Sequence, residues 1–141
     1  WSSRSTICDL AHVIPALIKK FVNAAEADAE EVVVWGDGFA TREFLYVEDA
    51  AEAIALAIDK YDGREPINIG SGYEVRIQEL ANEISGLAEF KGKIVFDISK
   101  PSGQPRRRVS TERCEKILGF KAKMSLRDGL MKTISWYREA E

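Results

Sequence analysis

Val13, Ile14, Leu17, Ile18, Phe21, Val22 and Ala25 recur at the three- and four-residue spacing of one helix face. A few residues later the pattern changes to "EVVVWG", a β-branched run that ends at Gly36. This switch of period confines the chain to a fold in which helices and short strands alternate, the α/β class. The spacing predicts an amphipathic helix over about 11–27, with Pro15 in its first turn, where a missing N–H costs nothing. "EVVVWG" then reads as a buried strand, and Gly-Asp-Gly at 36–38 as a turn.

The alternation continues. "VEDAAEAIALAIDKY" predicts a helix capped by Asp49 and apolar on most of its circumference, which implies cover on several sides. "EPINIG" reads as a short strand and "GSG" as a tight connection. Ile77, Leu80, Ala81, Ile84, Leu87 and Ala88 give another helical stripe, weakened at Gly86. "KIVFD" is a strand, "ISKPSGQPRRR" a loop, and "STERCEKILGF" a short helix ending near Gly119. Ser125 and Asp128 stand at capping-box spacing before a last helix whose apolar side holds Leu126, Leu130, Ile134 and Tyr137. The strands are too few for a full doubly wound sheet.

A chain of 141 residues that is 45% hydrophobic has the size and the core of one domain. Its net charge of −3 and pI near 5.4 argue against a general nucleic-acid binder. No apolar run is long enough for a membrane span, and the start lacks the pattern of a signal peptide. Cys8 and Cys114 have neither metal nor redox spacing, which leads us to expect free thiols in the cytoplasm.

Chemistry is concentrated in a few cations and one indole. Arg42 follows Trp35 across the glycine turn; a guanidinium fork grips phosphate oxygens and an indole lies flat against a base. The plainer alternative is a solvated arginine near a core tryptophan. Arg106, Arg107 and Arg108 form either an anion cradle or a solvated basic patch, with Lys100 joining either. Lys19 and Lys20 read as snorkelling lysines, Lys20 nearer the apolar stripe. His12 is the only histidine, either a proton carrier or a helix-end residue. There is no glycine fingerprint after a strand, no tyrosine with a lysine four residues on, and no metal-ligand spacing.

Five stretches, "HVIPALIKKF", "VVVWGDGFATREFLYVEDAAEAI", "INIGSG", "GKIVFDISKPSGQPRR" and "SLRDGL", together resemble the carboxyl-terminal part of the GDP-L-fucose synthases. These are extended short-chain dehydrogenase/reductases of the NAD-dependent epimerase/dehydratase superfamily. The similarity runs from His12 to Tyr137. The "REFLYVED" piece belongs to the whole superfamily, and "HVIPALI" and "FDISKPSGQPR" are more specific to this branch.

The resemblance implies roles position by position. His12 matches a proton donor or acceptor in epimerisation of a 4-keto sugar. Lys20 stands where the family usually has an arginine reaching the nucleotide diphosphate. Trp35 matches a residue near guanine, and Arg42 and Arg107 match groups that hold phosphate. "FAT" replaces a Thr-Pro-Met-like stretch before Arg42. The chain is thereby expected to be the GDP-sugar-binding part of a parent 3,5-epimerase/4-reductase whose cofactor is NADP. The 141 residues alone are expected to bind no cofactor and to be inactive. The region at about 47–72 is expected to pack on a missing dinucleotide-binding (Rossmann) domain. A homo-oligomer without nucleic-acid or membrane partners completes the expectation. The alternatives are an epimerase acting on another nucleotide sugar and a non-catalytic, self-associating remnant.

Overall fold

The first apolar stripe forms α1 (Val13–Glu26), entered through His12, whose carbonyl accepts the first helical bond from Ala16 N–H at 3.1 Å. The computed structural model describes residues 12–140. Leu17, Ile18, Phe21 and Val22 turn inward from α1 and are almost wholly buried. The helix stops at Asp28, in the left-handed region at φ 51°, and the chain extends into β1 (Glu31–Trp35). The same device recurs after α3 (Ile77–Leu87). There Glu89 takes φ 61°, Phe90 N–H reaches back to Ser85 O, and the chain enters β4 (Lys93–Asp97).

These two helix-to-strand units lie side by side. β1 and β4 pair in parallel, from Glu31 opposite Lys93 to Trp35 opposite Asp97. α1 packs on β1 and α3, and α3 on α5 (Leu126–Glu139). One core results, with Phe21 and Phe90 meeting as tilted rings 5.6 Å apart.

A second sheet has three strands in the order β3–β2–β5: β3 (Glu74–Arg76), β2 (Thr41–Glu43) and β5 (Arg106–Arg107). β2 runs antiparallel to β3 and parallel to β5. α2 (Val47–Lys60) and α4 (Glu112–Leu118) meet over a smaller cluster of Ala53, Cys114, Leu118 and Phe120. Gly119, at φ 65°, ends α4 as its sequence predicts.

Several expectations are corrected. β1 is covered on one face only: Val32 and Val34 are buried, whereas Val33 and Trp35 lie open, because no described element packs on that side. Asp49 does not cap α2. Tyr46 takes that position, and the buried Asp49 carboxylate accepts the Lys123 and Met124 amides at 3.2 and 2.9 Å. α2 is not covered all round, and within the described chain Ile54 and Ile58 are 54% and 82% exposed. "EPINIG" forms no strand, since no described segment pairs with it. The 98–108 stretch is not wholly loop, because Arg106 and Arg107 add to β2. The Ser125 hydroxyl caps α5 by accepting Asp128 N–H, but the Asp128 carboxylate accepts from that hydroxyl rather than from the Ser125 amide.

A Cβ built at Gly86 would meet nothing within 4 Å, whereas Phe21 has no exposed surface. Chemical denaturation should therefore show Gly86→Ala gaining about 0.5–1 kcal/mol and Phe21→Ala losing about 3–5 kcal/mol. A loss at Gly86, or a loss under 1 kcal/mol at Phe21, contradicts this packing.

Candidate functional site

Parallel pairing sends the chain out of β1 and β4 at the same end of the sheet, where ligands bind in open α/β folds. The two exit loops lie against each other. Gly36, at φ 89°, has Ser102 where a side chain would go, with Ser102 Oγ 2.7 Å from an ideal Cβ. Asp37 N–H donates to Ser102 Oγ, and the Asp37 carboxylate accepts from Phe39 N–H at 3.0 Å. On the other loop Asp97 accepts from the backbone and hydroxyl of Ser99, which holds its carboxyl below the usual range.

Trp35 stands at this exit and is 48% exposed. Two ammonium groups flank it. Lys20 Nζ, from α1, is 5.9 Å from the ring centroid and donates to Val33 O at 3.0 Å. Lys100 Nζ, from the loop after β4, is 5.6 Å away. Both lie within cation–π range. Lys20 thus does more than snorkel, and Lys100 has a definite place beside the indole.

Arg42 and Arg107 are direct partners in the second sheet and therefore share one of its faces. Arg42 Nη1 donates to Thr41 O at 2.7 Å and to Gln104 O at 2.6 Å. Gly103, at φ 72°, leaves room for the other arm, since its ideal Cβ would come within 3.1 Å of Arg42 Nη2. Neither Arg42 nor Arg107 forms an ion pair among the described residues.

Arg106 and Arg108 behave differently. Glu74 accepts Arg106 Nε and Nη2 at 2.8 and 2.7 Å and Thr41 Oγ1 at 3.1 Å, and it lies 3.8 Å from Arg108 Nη1. Hydrogen bonding from Arg106 holds the Glu74 carboxyl down at about 2 against the opposing effect of burial. The three adjacent arginines are thus divided by the strand pleat: two engage a carboxylate and the middle one does not.

His12 sits exposed at the head of α1, about 12 Å of helix rise from Lys20, with no described side-chain partner. The structure therefore joins Lys20 to Trp35 and Arg42 to Arg107, linked through the 98–105 loop, and leaves His12 apart. Cys8 lies outside the described residues. Cys114 is buried beneath α2, and burial pushes its thiol up, away from reactivity. A groove of about 920 Å³, bordered by Ile14, Phe44, Tyr46, Tyr73, Leu130 and Thr133, includes none of the predicted site residues. No group of side chains able to hold a metal occurs among the described residues, and none of their helices is long and apolar enough to cross a membrane. The sequence reading missed Glu74, which sits in a three-residue strand without a local signature.

Comparison with known proteins bears on this arrangement. A profile of the NAD dependent epimerase/dehydratase family matches residues 6–70. A probable GDP-L-fucose synthase 1 of Oryza sativa subsp. japonica is 46% identical over 129 residues, 92% of this chain and 39% of that protein. Over residues 6–70 the chain thus matches the NAD dependent epimerase/dehydratase family, and over most of its length it is similar to GDP-L-fucose synthases. The GDP-L-fucose synthase of Escherichia coli (strain K12) is 41% identical over 138 residues, which cover 92% of this chain and 43% of that protein. A GDP-L-fucose synthetase structure from Naegleria fowleri, bound to NADP, superposes with a TM-score of 0.87 at 28% identity, over 94% of this chain and 41% of that one. The chain thus spans about two fifths of the length of these relatives, and its mixed α/β fold resembles that of the extended short-chain dehydrogenase/reductases.

The ion pair at Glu74 predicts a pH response. Its folded pKa of about 2 lies below the ordinary 4.5. The clasp therefore stabilises the fold above pH 4.5, and that contribution disappears as pH falls toward about 2. A carbon-detected NMR titration should find Glu74 still ionised about one unit below 4.5; a midpoint at 4.5 contradicts the geometry.

Proposed function

We propose that this chain is the carboxyl-terminal, GDP-sugar-binding part of a GDP-4-keto-6-deoxy-mannose 3,5-epimerase/4-reductase. The observation that carries this reading is an exposed tryptophan with two ammonium groups near its ring, joined through the 98–105 loop to two in-register guanidiniums that form no ion pair among the described residues. A flat base stacks on an indole, and a diphosphate needs cations at the reach of its oxygens. In this reading Trp35 takes the base, and Lys20, Arg42 and Arg107 take the diphosphate. Lys20 supplies charge without the fork an arginine would bring. Arg42 keeps its second arm free while its first arm is fixed on Gln104 O.

His12 is assigned the proton transfer at the sugar. A ligand touching both Lys20 and His12 must extend along α1 by about two turns' rise, about 12 Å. The cluster is an open surface on this chain, so a facing wall is assigned to the dinucleotide domain of the whole protein. NADP, which would supply hydride to the 4-keto group, is assigned to that domain too. The glycines at 36 and 38 fit this division, because Ser102 and the Phe96 and Gln78 side chains fill the space a phosphate cradle would need. The exposed side of α2, with Val47, Ile54 and Ile58, is assigned to the contact with the same domain. That surface also favours a second reading, a self-associating remnant. A chain that oligomerises and ignores GDP would be that remnant.

Calorimetry tests the first reading. The chain should bind GDP in preference to UDP and dTDP. Arg42→Ala should weaken GDP by about 10–100-fold, the worth of a charge-assisted phosphate contact, with Arg42→Lys in between. Equal affinity of wild type and Arg42→Ala removes Arg42 from the phosphate site.

A further inference from the structure

Arg107 belongs to a strand of two residues, and a strand that short does not hold itself in place. Its only ladder bond beyond the pairing of Thr41 and Arg42 with Arg106 and Arg107 is Thr41 N–H to Pro105 O at 2.9 Å. Arg42 holds Gln104 O from the Arg107 face, and the stronger clasp on β5 itself lies on the opposite face of the sheet. Glu74 on β3 reaches across Thr41 on β2 and takes the Arg106 guanidinium with two near-parallel bonds of 2.8 and 2.7 Å. One carboxylate thereby spans all three strands.

We infer that Glu74 is a positioning residue, which clamps β5 onto β2 in the register that turns Arg107 to the same face as Arg42. The inference rests on the proposed assignment of Arg107 to the diphosphate. It adds that Glu74, on the face of the sheet opposite Arg107, sets the affinity of that site.

Pleat geometry gives the reason. Side chains alternate across a strand, so a slip of one residue would exchange Arg107 for Arg106 or Arg108 on the binding face. The three residues are chemically identical, so sequence alone does not select the register. The number of guanidiniums within reach of Glu74 does: two in the observed register, Arg106 bidentately and Arg108 at 3.8 Å, against Arg107 alone after a slip of one. Glu43, opposite Glu74 in the ladder, is spent elsewhere, on the amides of Gly72 and Val109. Arg76, at the far end of β3, forms no ion pair with Glu74. The clamp also leaves the binding face with arginine charge and no acid. The side chain of Glu74 is only 19% exposed, so water competes weakly for it.

The experiment pairs an exchange measurement with binding. Amide exchange at Thr41, whose N–H donates to Pro105 O, reports β5 docking without any ligand. Glu74→Gln should speed it by about tenfold or more. GDP affinity should fall about tenfold in Glu74→Gln. Arg107→Ala should then add little on that background, while guanosine, which lacks phosphate, should bind wild type and variant alike. Should Glu74→Gln fail to fold, Arg106→Gln removes the same pair from the other side and should give the same pattern. Unchanged Thr41 exchange overturns the clamp. Faster exchange with unchanged GDP affinity, or full additivity with Arg107→Ala, overturns the positioning role. If wild type binds no GDP, the proposed function fails and the role at the diphosphate with it, while the exchange data still decide the clamp.

Discussion

The parallel pairing of β1 with β4 is the constraint on which the rest depends. It places Trp35 opposite Asp97, so that both chains leave the sheet together and their loops fold against each other. From that follow the contact of Gly36 with Ser102, the approach of Lys100 to Trp35 and the hold of Arg42 on Gln104. The pairing is itself secured by burial: α1 and α3 are each followed by a left-handed residue, Asp28 and Glu89, and deliver their strands to one core around Phe21, Leu80 and Ile84. Lys20 then reaches the exit from the outer side of α1.

Charge is distributed with the same logic. The chain is acidic overall, yet Lys20 and Lys100 gather at Trp35 and Arg42 and Arg107 pair in the second sheet. Cations so close repel one another unless anions intervene. Glu74 lies on the face of the second sheet opposite Arg42 and Arg107, whereas Asp97, the register partner of Trp35, shares its face. Glu74 faces Arg106 and Arg108, and Asp97 turns to its own Ser99. Arg42 is tethered by carbonyl oxygens, which orient a guanidinium without cancelling its charge.

Local pattern made part of this legible. α1, α3 and β4 follow from periodicity, because each buries a single continuous face, and Gly119 and Ser125 mark helix ends through their own backbone or hydroxyl chemistry. β2, β3 and β5 were invisible, since each is two or three residues long and is defined by partners more than thirty positions away, as Arg42 is by Val75. "EPINIG" misled in the opposite direction: its β-branched alternation is real, but a strand needs a neighbour. In the site, Arg42 and Trp35 were singled out by the turn between them. The division of labour among three consecutive arginines depended on pleat and register, which composition does not carry. Lys100 had one usable signal, its place in the loop after a strand parallel to β1.

Lys20, Trp35, Arg42 and Arg107 are proposed to make one site for one ligand. The direct measurement is an NMR titration with GDP that follows the Trp35 indole N–H together with the Arg42 and Arg107 Nε–H resonances. The account predicts that all three shift on one binding curve with a common Kd. Movement of the indole alone, or separate curves for the indole and the two guanidiniums, would contradict it.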